Sequence, residues 1–321
     1  MGRIARLLGT GLLISVAGAA GAQSAAGYPN KPIRIVMSAP GGGNDLAARI
    51  IAQGLTRSMG QQVVLDGRAA GVVPGLIVSK AAPDGYTLLY FANSVYLIPL
   101  MTSNPPYDSF KDFSWITLAV ISPNVLVVHP SLPVNSVKEL IALARARPGE
   151  INYASASNGT SNHLAAEMFK AMTGVNLVRV PYKGGAPALN AVVANEAQLM
   201  FPTAGAVIPL VKAGRIRALA VTTAQPSALL PGLPTVASAG FPDFESASLT
   251  GVYAPAKTPA AIIRRLNQEI VRVLDQADVK ERLFNTGVEV VASTPEQFAA
   301  AVKSEMTRMG KVIKYAGIRV E

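Results

Sequence analysis

The chain contains no cysteine and only two histidines, His129 and His163, in 321 residues. Without cysteine there are no disulfides, no thiolate metal sites and no thiol nucleophile. Two histidines exclude a three-histidine zinc site and leave little for histidine-based acid–base chemistry, so neither a metal nor a cofactor is expected. Aromatic residues are scarce at 6% and charged residues at 15%. A nucleic-acid surface needs a basic stripe with interleaved aromatics, and the basic residues here are dispersed, so nucleic acid is not an expected partner. No fixed-period repeat, low-complexity tract or membrane-length apolar run occurs. What remains is a half-hydrophobic chain of net charge +10. Its length suggests about two domains at ~150 residues each, and its charge favours anions as partners.

At the N-terminus, Arg3 and Arg6 precede the apolar run Leu7 to Val16, and Ala20-Gly21-Ala22 follows. This is the pattern of a signal peptide, residues 1–22, cut after Ala22. An uncleaved anchor would need ~20 apolar residues, twice what is present. A soluble periplasmic product is therefore expected.

From Tyr28 onward strand-like and helical patterns alternate. Strands are predicted at 33–37, 63–65, 86–91, 125–128, 151–154, 177–180, 199–201, 218–222 and 251–254. Helices are predicted at 46–59, 164–172, 186–195, 204–213, 259–275 and 295–315. Such alternation reads as α/β with mostly parallel strands. Crossover segments near 124–127 and 249–254 predict that the chain leaves one lobe, builds a second and returns. Domain 1 is then 28–126 plus 250–321 and domain 2 is 127–249, joined by a hinge of two strands.

Chemistry concentrates in strand-to-helix turns. The first holds Ser38-Ala39-Pro40-Gly41-Gly42-Gly43-Asn44-Asp45, where glycines let backbone approach a ligand and the next helix offers unpaired N–H groups. The same spacing also fits a tight turn capped by Asn44 or Asp45. Neither a dinucleotide fingerprint nor a P-loop is present. The second, Ala154 to His163, is rich in small hydroxyls and amides that can cap a helix or hold a ligand. Ser161 and His163, two apart, do not form a nucleophile–base pair, and no G-x-S-x-G elbow exists. The third is Val180-Pro181-Tyr182-Lys183-Gly184-Gly185, and Thr203 occupies a fourth turn. Asp66 and Arg68 read as a surface ion pair, and the lone Trp115 as core.

The ordered blocks YPNKPIRIVMSAPGGGND, AAPDGYTLL, PYDSFKDF, PNVLVVHPSLPVNSVKELIALARARPGEINYASASNGTSNHLAAEMFK, VPYKGGAPALNAV, AGRIRALAVTT, LPGLPTVASAG and GVYAPAKTP resemble the Bug, or TctC-like, solute receptors of tripartite tricarboxylate transporters, from about Tyr28 to the C-terminus. The resemblance implies a Venus flytrap, type II-like periplasmic binding protein. It would be a monomer that closes on a small mono-, di- or tricarboxylate and delivers it to transmembrane transporter subunits. It further implies ligand contacts at Pro40, Gly41, Gly42, Gly43, Asn44, Asp45, Ser155, Gly159, Thr160, Ser161, His163, Tyr182, Gly184, Gly185 and Thr203. Four departures from the family pattern suggest an unusual ligand. The stretch Ala69 to Gly75 is short, Gln198 replaces a common acid, Pro202-Thr203 replaces Asp-Asn, and Leu249 stands where tryptophan is frequent. Two rival readings are an extracytoplasmic sensor and a secreted hydrolase. Micromolar affinity needs about −8 kcal/mol. Four to six charge-assisted hydrogen bonds at roughly 1.5–3 kcal/mol each can supply this after ordering costs, without an arginine.

Overall fold

Ile33, Ile35, Val36 and Met37 are all buried, as expected of a strand covered on both faces. It opens a computed structural model that describes residues 27–38, 42–68 and 71–319. The signal-peptide expectation lies outside these residues. In chain order the first lobe contributes β1 (Ile33–Ser38), α1 (Gly42–Met59), β2 (Val63–Arg68), α2 (Val73–Ser79), β3 (Thr87–Phe91), α3 (Ser94–Leu97), a 3-10 turn (Ile98–Leu100) and β4 (Phe113–Pro123). The second contributes β5 (Val125–Val128), α4 (Val137–Ala146), β6 (Asn152–Ser155), α5 (Ser161–Thr173), β7 (Val178–Pro181), α6 (Gly185–Val193), β8 (Leu199–Met200), α7 (Ala204–Lys212) and β9 (Arg217–Val221). The chain then returns through β10 (Ala247–Pro255), α8 (Ala260–Leu274), α9 (Ala277–Phe284), β11 (Glu289–Val290) and α10 (Pro295–Tyr315).

The first sheet has the order β11-β4-β10-β3-β1-β2 and the second β7-β6-β8-β5-β9. Both are mixed rather than mostly parallel. β1 runs parallel to β2 and β3, and β6 parallel to β7 and β8. The pairings of β10 with β3 and β4, of β11 with β4, and of β5 with β8 and β9 are antiparallel. The physical reason is the double passage between lobes: β4 leads out of the first sheet, β10 leads back, and the two lie side by side in opposite directions.

β4, eleven residues long, has no counterpart among the predicted strands. Its run Phe113-Ser-Trp-Ile-Thr-Leu-Ala-Val-Ile-Ser-Pro shows no two-residue alternation because α8 packs against one face of it and α10 against the other. Trp115 lies half-buried in this layer, 5.2 Å from the Tyr253 ring and 5.1 Å from Phe298. α8 is the clearest amphipathic helix: Ile262, Ile263, Leu266, Ile270, Val273 and Leu274 are buried on one stripe. Burial of each such side chain is worth about 1.5–3 kcal/mol. α1 crosses it closely at Gly54, where a methyl would stand 2.3 Å from Val273 Cγ2.

Where the two passages meet, three buried polar residues are stitched together. The Asn124 carbonyl accepts from Thr222 N at 3.0 Å and from Thr222 Oγ1 at 2.8 Å, and Ser246 N donates to the Thr222 carbonyl at 2.9 Å. α10 packs against β4 of the first lobe and α5 of the second. A second inter-lobe contact has no side chains in it. A methyl on Gly205, in the first turn of α7, would lie 2.1 Å from the Thr286 carbonyl oxygen, and one on Gly287 2.3 Å from Gly205 N and Cα.

Candidate functional site

Because β6, β7 and β8 run parallel, their C-terminal ends share one sheet edge, and α5, α6 and α7 all begin there. By the same logic β1, β2 and β3 bring the starts of α1, α2 and α3 to one edge of the first sheet. A crevice bounded by such edges is where open α/β folds bind ligands.

On the first lobe, α1 begins at Gly42, four residues before the predicted start. Gly42 and Gly43 are therefore helical first-turn residues rather than loop, and their N–H groups are among those a helix leaves unpaired. Pro40 and Gly41 lie outside the described residues. Asn44 and Asp45 sit inside the helix, not before it. The Oδ1 atom of each is buried without a partner, while Asp45 Oδ2 accepts from Arg49 Nε at 3.0 Å. The hydroxyl of Tyr90, near the C-terminal end of β3, is likewise buried and unpartnered. Burial, reinforced by Asp45, pushes its pKa up and keeps it a neutral hydrogen-bonding group.

On the second lobe the loop 155–161 is tightly organised. Thr160 Oγ1 lies 2.7 Å from the Ser157 carbonyl and 3.0 Å from Asn162 Oδ1, which also accepts from Ala156 N at 3.1 Å. Gly159 takes φ +75°, and a methyl there would stand 2.4 Å from Met101 Cε of the first lobe. Two predicted residues lie behind this loop. His163 is 2% exposed, and its Nδ1 accepts from Gly159 N at 3.3 Å. Desolvation, aided by Arg179 and Lys170, lowers its pKa to about 3, so the ring is neutral. Ser155 is fully buried and its carbonyl accepts from Tyr182 N at 2.8 Å.

The remaining predicted residues are at least partly open. Thr160 and Thr203 occupy the N-cap positions of α5 and α7 in extended backbone, and Gly184 that of α6; none caps its helix with a side chain. At Gly185 a methyl would meet nothing within 4 Å, and at Gly184 only Pro187 at 3.8 Å, so internal packing does not demand glycine there. Asn124 joins the turns: its Nδ2 donates to Phe201 O at 2.7 Å and to Ser161 Oγ at 3.3 Å, and its backbone bridges Thr203. Neither Asn44 nor Asp45 bonds to the second-lobe loops. The predicted residues thus form two groups, one on each lobe.

Sequence reading missed two residues that organise this site. Asn124 was placed at a crossover but given no role. Arg179 was read only as part of a strand, although a charge inside Val178-Arg179-Val180, next to the glycine turn, was the available signal. Its Nε donates to Ser155 Oγ at 2.7 Å, Nη1 to Asn158 Oδ1 at 2.6 Å and Nη2 to the Ala156 carbonyl at 3.0 Å. Asp66 and Arg68 form the expected exposed ion pair, 2.8 Å apart.

Residues 47–318 match the model of the tripartite tricarboxylate transporter family receptor, TctC. The chain belongs to that family. It is 35% identical to Protein BugT of Bordetella pertussis over 320 residues, 97% of each chain. Among solved structures, R. palustris Rpa4515 with adipate superposes with a TM-score of 0.83 at 36% identity, covering 91% of this chain and 99% of that one. MatC from Rhodopseudomonas palustris with bound malate gives 0.81 at 26% identity, covering 89% and 100%. The two-lobed α/β architecture of this TctC receptor follows directly from these likenesses.

Proposed function

We propose that this TctC receptor is a periplasmic solute-binding protein. It holds a small organic anion, a mono-, di- or tricarboxylate, between its lobes and presents it to transmembrane transporter subunits, acting as a monomer and performing no chemistry. The lobes are taken as 28–126 plus 250–321 and 127–249, hinged at the Asn124–Thr222–Ser246 stitch. The observation that carries this reading is the open start of α5, α6 and α7 along a single sheet edge, where hydroxyl-bearing residues stand at two N-caps without closing them. Converging helix starts with unpaired N–H groups favour a negatively charged guest, each adding about 0.3–2 kcal/mol beyond its hydrogen bonds. The unpartnered Asn44, Asp45 and Tyr90 atoms supply polar groups from the facing lobe. That Rpa4515 is seen with adipate and MatC with malate supports the carboxylate class. No helix among the described residues is long and apolar enough to cross a membrane.

The test is calorimetric titration of the mature protein with malate, adipate and citrate. Binding of at least one, weakened by Gly185→Val, which puts a side chain into the open space at the start of α6, is the expected result. A protein that binds none of them, or whose Gly185→Val variant binds unchanged, would refute the site as drawn.

A further inference from the structure

The guanidinium of Arg179 holds three neutral acceptors, Ser155 Oγ, Asn158 Oδ1 and the Ala156 carbonyl, and no carboxylate. Among the described residues it forms no ion pair. The carboxylate that acts on it electrostatically is Glu167, itself engaged by the Tyr153 hydroxyl and by Lys170 Nζ at 3.0 and 3.1 Å. His163, the other basic group of this loop, is neutral. The 155–158 loop is therefore braced by one half-buried positive charge with no directly paired carboxylate among the described residues, Glu167 acting on it only from a distance. A guanidinium has five N–H donors in a rigid fork, of which three are used here.

We infer that Arg179 sets the ligand-charge preference of the second lobe. Its fork fixes the 155–158 loop in front of α5, and its charge, which has no direct ion-pair partner among the described residues, makes the crevice select solutes that carry an anionic group over uncharged solutes of the same shape. This rests on the receptor reading above and deepens it. It makes Arg179 a positioning residue with an electrostatic reach, and revises the expectation that backbone donors act without an arginine. Half-burial matters: a charge flush with solvent would be screened within about 8–10 Å at ordinary salt, whereas one partly withdrawn from water is screened less.

The experiment compares adipate with its uncharged diamide by calorimetry, at low and high salt, in the wild type and in Arg179→Gln and Arg179→Lys. Wild type is expected to prefer adipate. Arg179→Gln should lose adipate affinity by roughly 10- to 100-fold, the range of one charge-assisted interaction. The diamide should fall much less, and the salt dependence of adipate binding should flatten. Arg179→Lys keeps the charge but not the fork, so it should retain the salt dependence while binding both solutes more weakly. Should Arg179→Gln fail to fold, Asn158→Ala removes one brace with the charge in place. It should leave the adipate-to-diamide ratio at the wild-type value, and a ratio that collapses would refute the charge assignment. A folded Arg179→Gln with an unchanged ratio and salt dependence overturns this inference while leaving the receptor reading intact. A wild type that prefers the diamide, or that binds neither adipate, malate nor citrate, overturns the receptor reading as well.

Discussion

α5 and α10 pack against each other, and they solve the same local problems in opposite ways. Each has threonine at its N-cap. In α10 the Thr294 hydroxyl accepts from Gln297 N at 3.2 Å and Gln297 Oε1 returns a bond from Thr294 N at 3.0 Å, closing a capping box. In α5 the Thr160 hydroxyl turns back into its own loop and the helix start stays open. Each also buries a titratable side chain. Glu305 of α10 is bonded by Asn93 Nδ2 and by the Tyr96 hydroxyl at 2.5 Å, and Asn93 also clasps β10 through Ala247 O and Leu249 N. Burial, with Glu245 adding to it, outweighs these donors and Arg308 and raises the Glu305 pKa to about 7. His163 of α5 is shifted the other way. The packing helix closes its own start with its threonine, and the helix at the crevice leaves its start open.

The largest consequence concerns pH. The native state refuses His163 a proton that the unfolded chain accepts at its ordinary 6.5. The stability from this group is present above pH 6.5 and is lost as pH falls toward 3, by roughly 4–5 kcal/mol. Denaturant titrations of His163→Asn should lose most of that acid decline, and an unaltered decline would show that the ring is protonated in the fold. Glu305 has the opposite sign. The native state keeps a proton that the unfolded chain gives up near 4.5, so its contribution is full below 4.5 and lost as pH rises through 7, by about 3 kcal/mol. Glu305→Gln should remove that loss, raising stability at pH 7.5 more than at pH 4.5. Between pH 4.5 and 6.5 the two contributions oppose one another, so wild type and the double variant should both be nearly flat there, while the two single variants slope in opposite directions.

Smaller effects separate closed from open helix starts. Gly205→Ala forces a methyl against the Thr286 carbonyl and should cost about 1–3 kcal/mol by overpacking, read as a lowered melting temperature. Thr294→Ala should cost about 1 kcal/mol by opening the capping box, with no change in carboxylate affinity. Thr203→Ala, at the uncapped start of α7, should do the reverse: a melting temperature within a degree or so of wild type, and a measurable loss of affinity. Equal melting losses for the two threonines would erase the distinction between the helices.

Much of the fold was legible because periodicity is a local property. The final helix matches its predicted span, and α7, α8 and β5 fall within a residue or two of theirs. β4 was not, because it has neither a two-residue alternation nor an unbroken apolar run like that of β5: Thr117 and Ser122 are buried among its apolar residues. The short β11 was missed too: two residues carry no pattern. At the site, glycines and hydroxyls marked the turns, since such residues concentrate at turns and helix starts. They could not reveal that Ser155 and His163 lie behind the loop, nor that Arg179 braces it, because those facts depend on which neighbours a strand register brings together.

Gly205 and Gly287 meet as bare main chain, with no rotamers on either side of the contact. A joint of this kind works as a bearing. At this point the surfaces can swivel without a side chain having to unpack, so the cost of turning one half of the molecule against the other falls on the joints that do hold side chains, the stitched crossing of the connecting strands and the seat of α10 on α5.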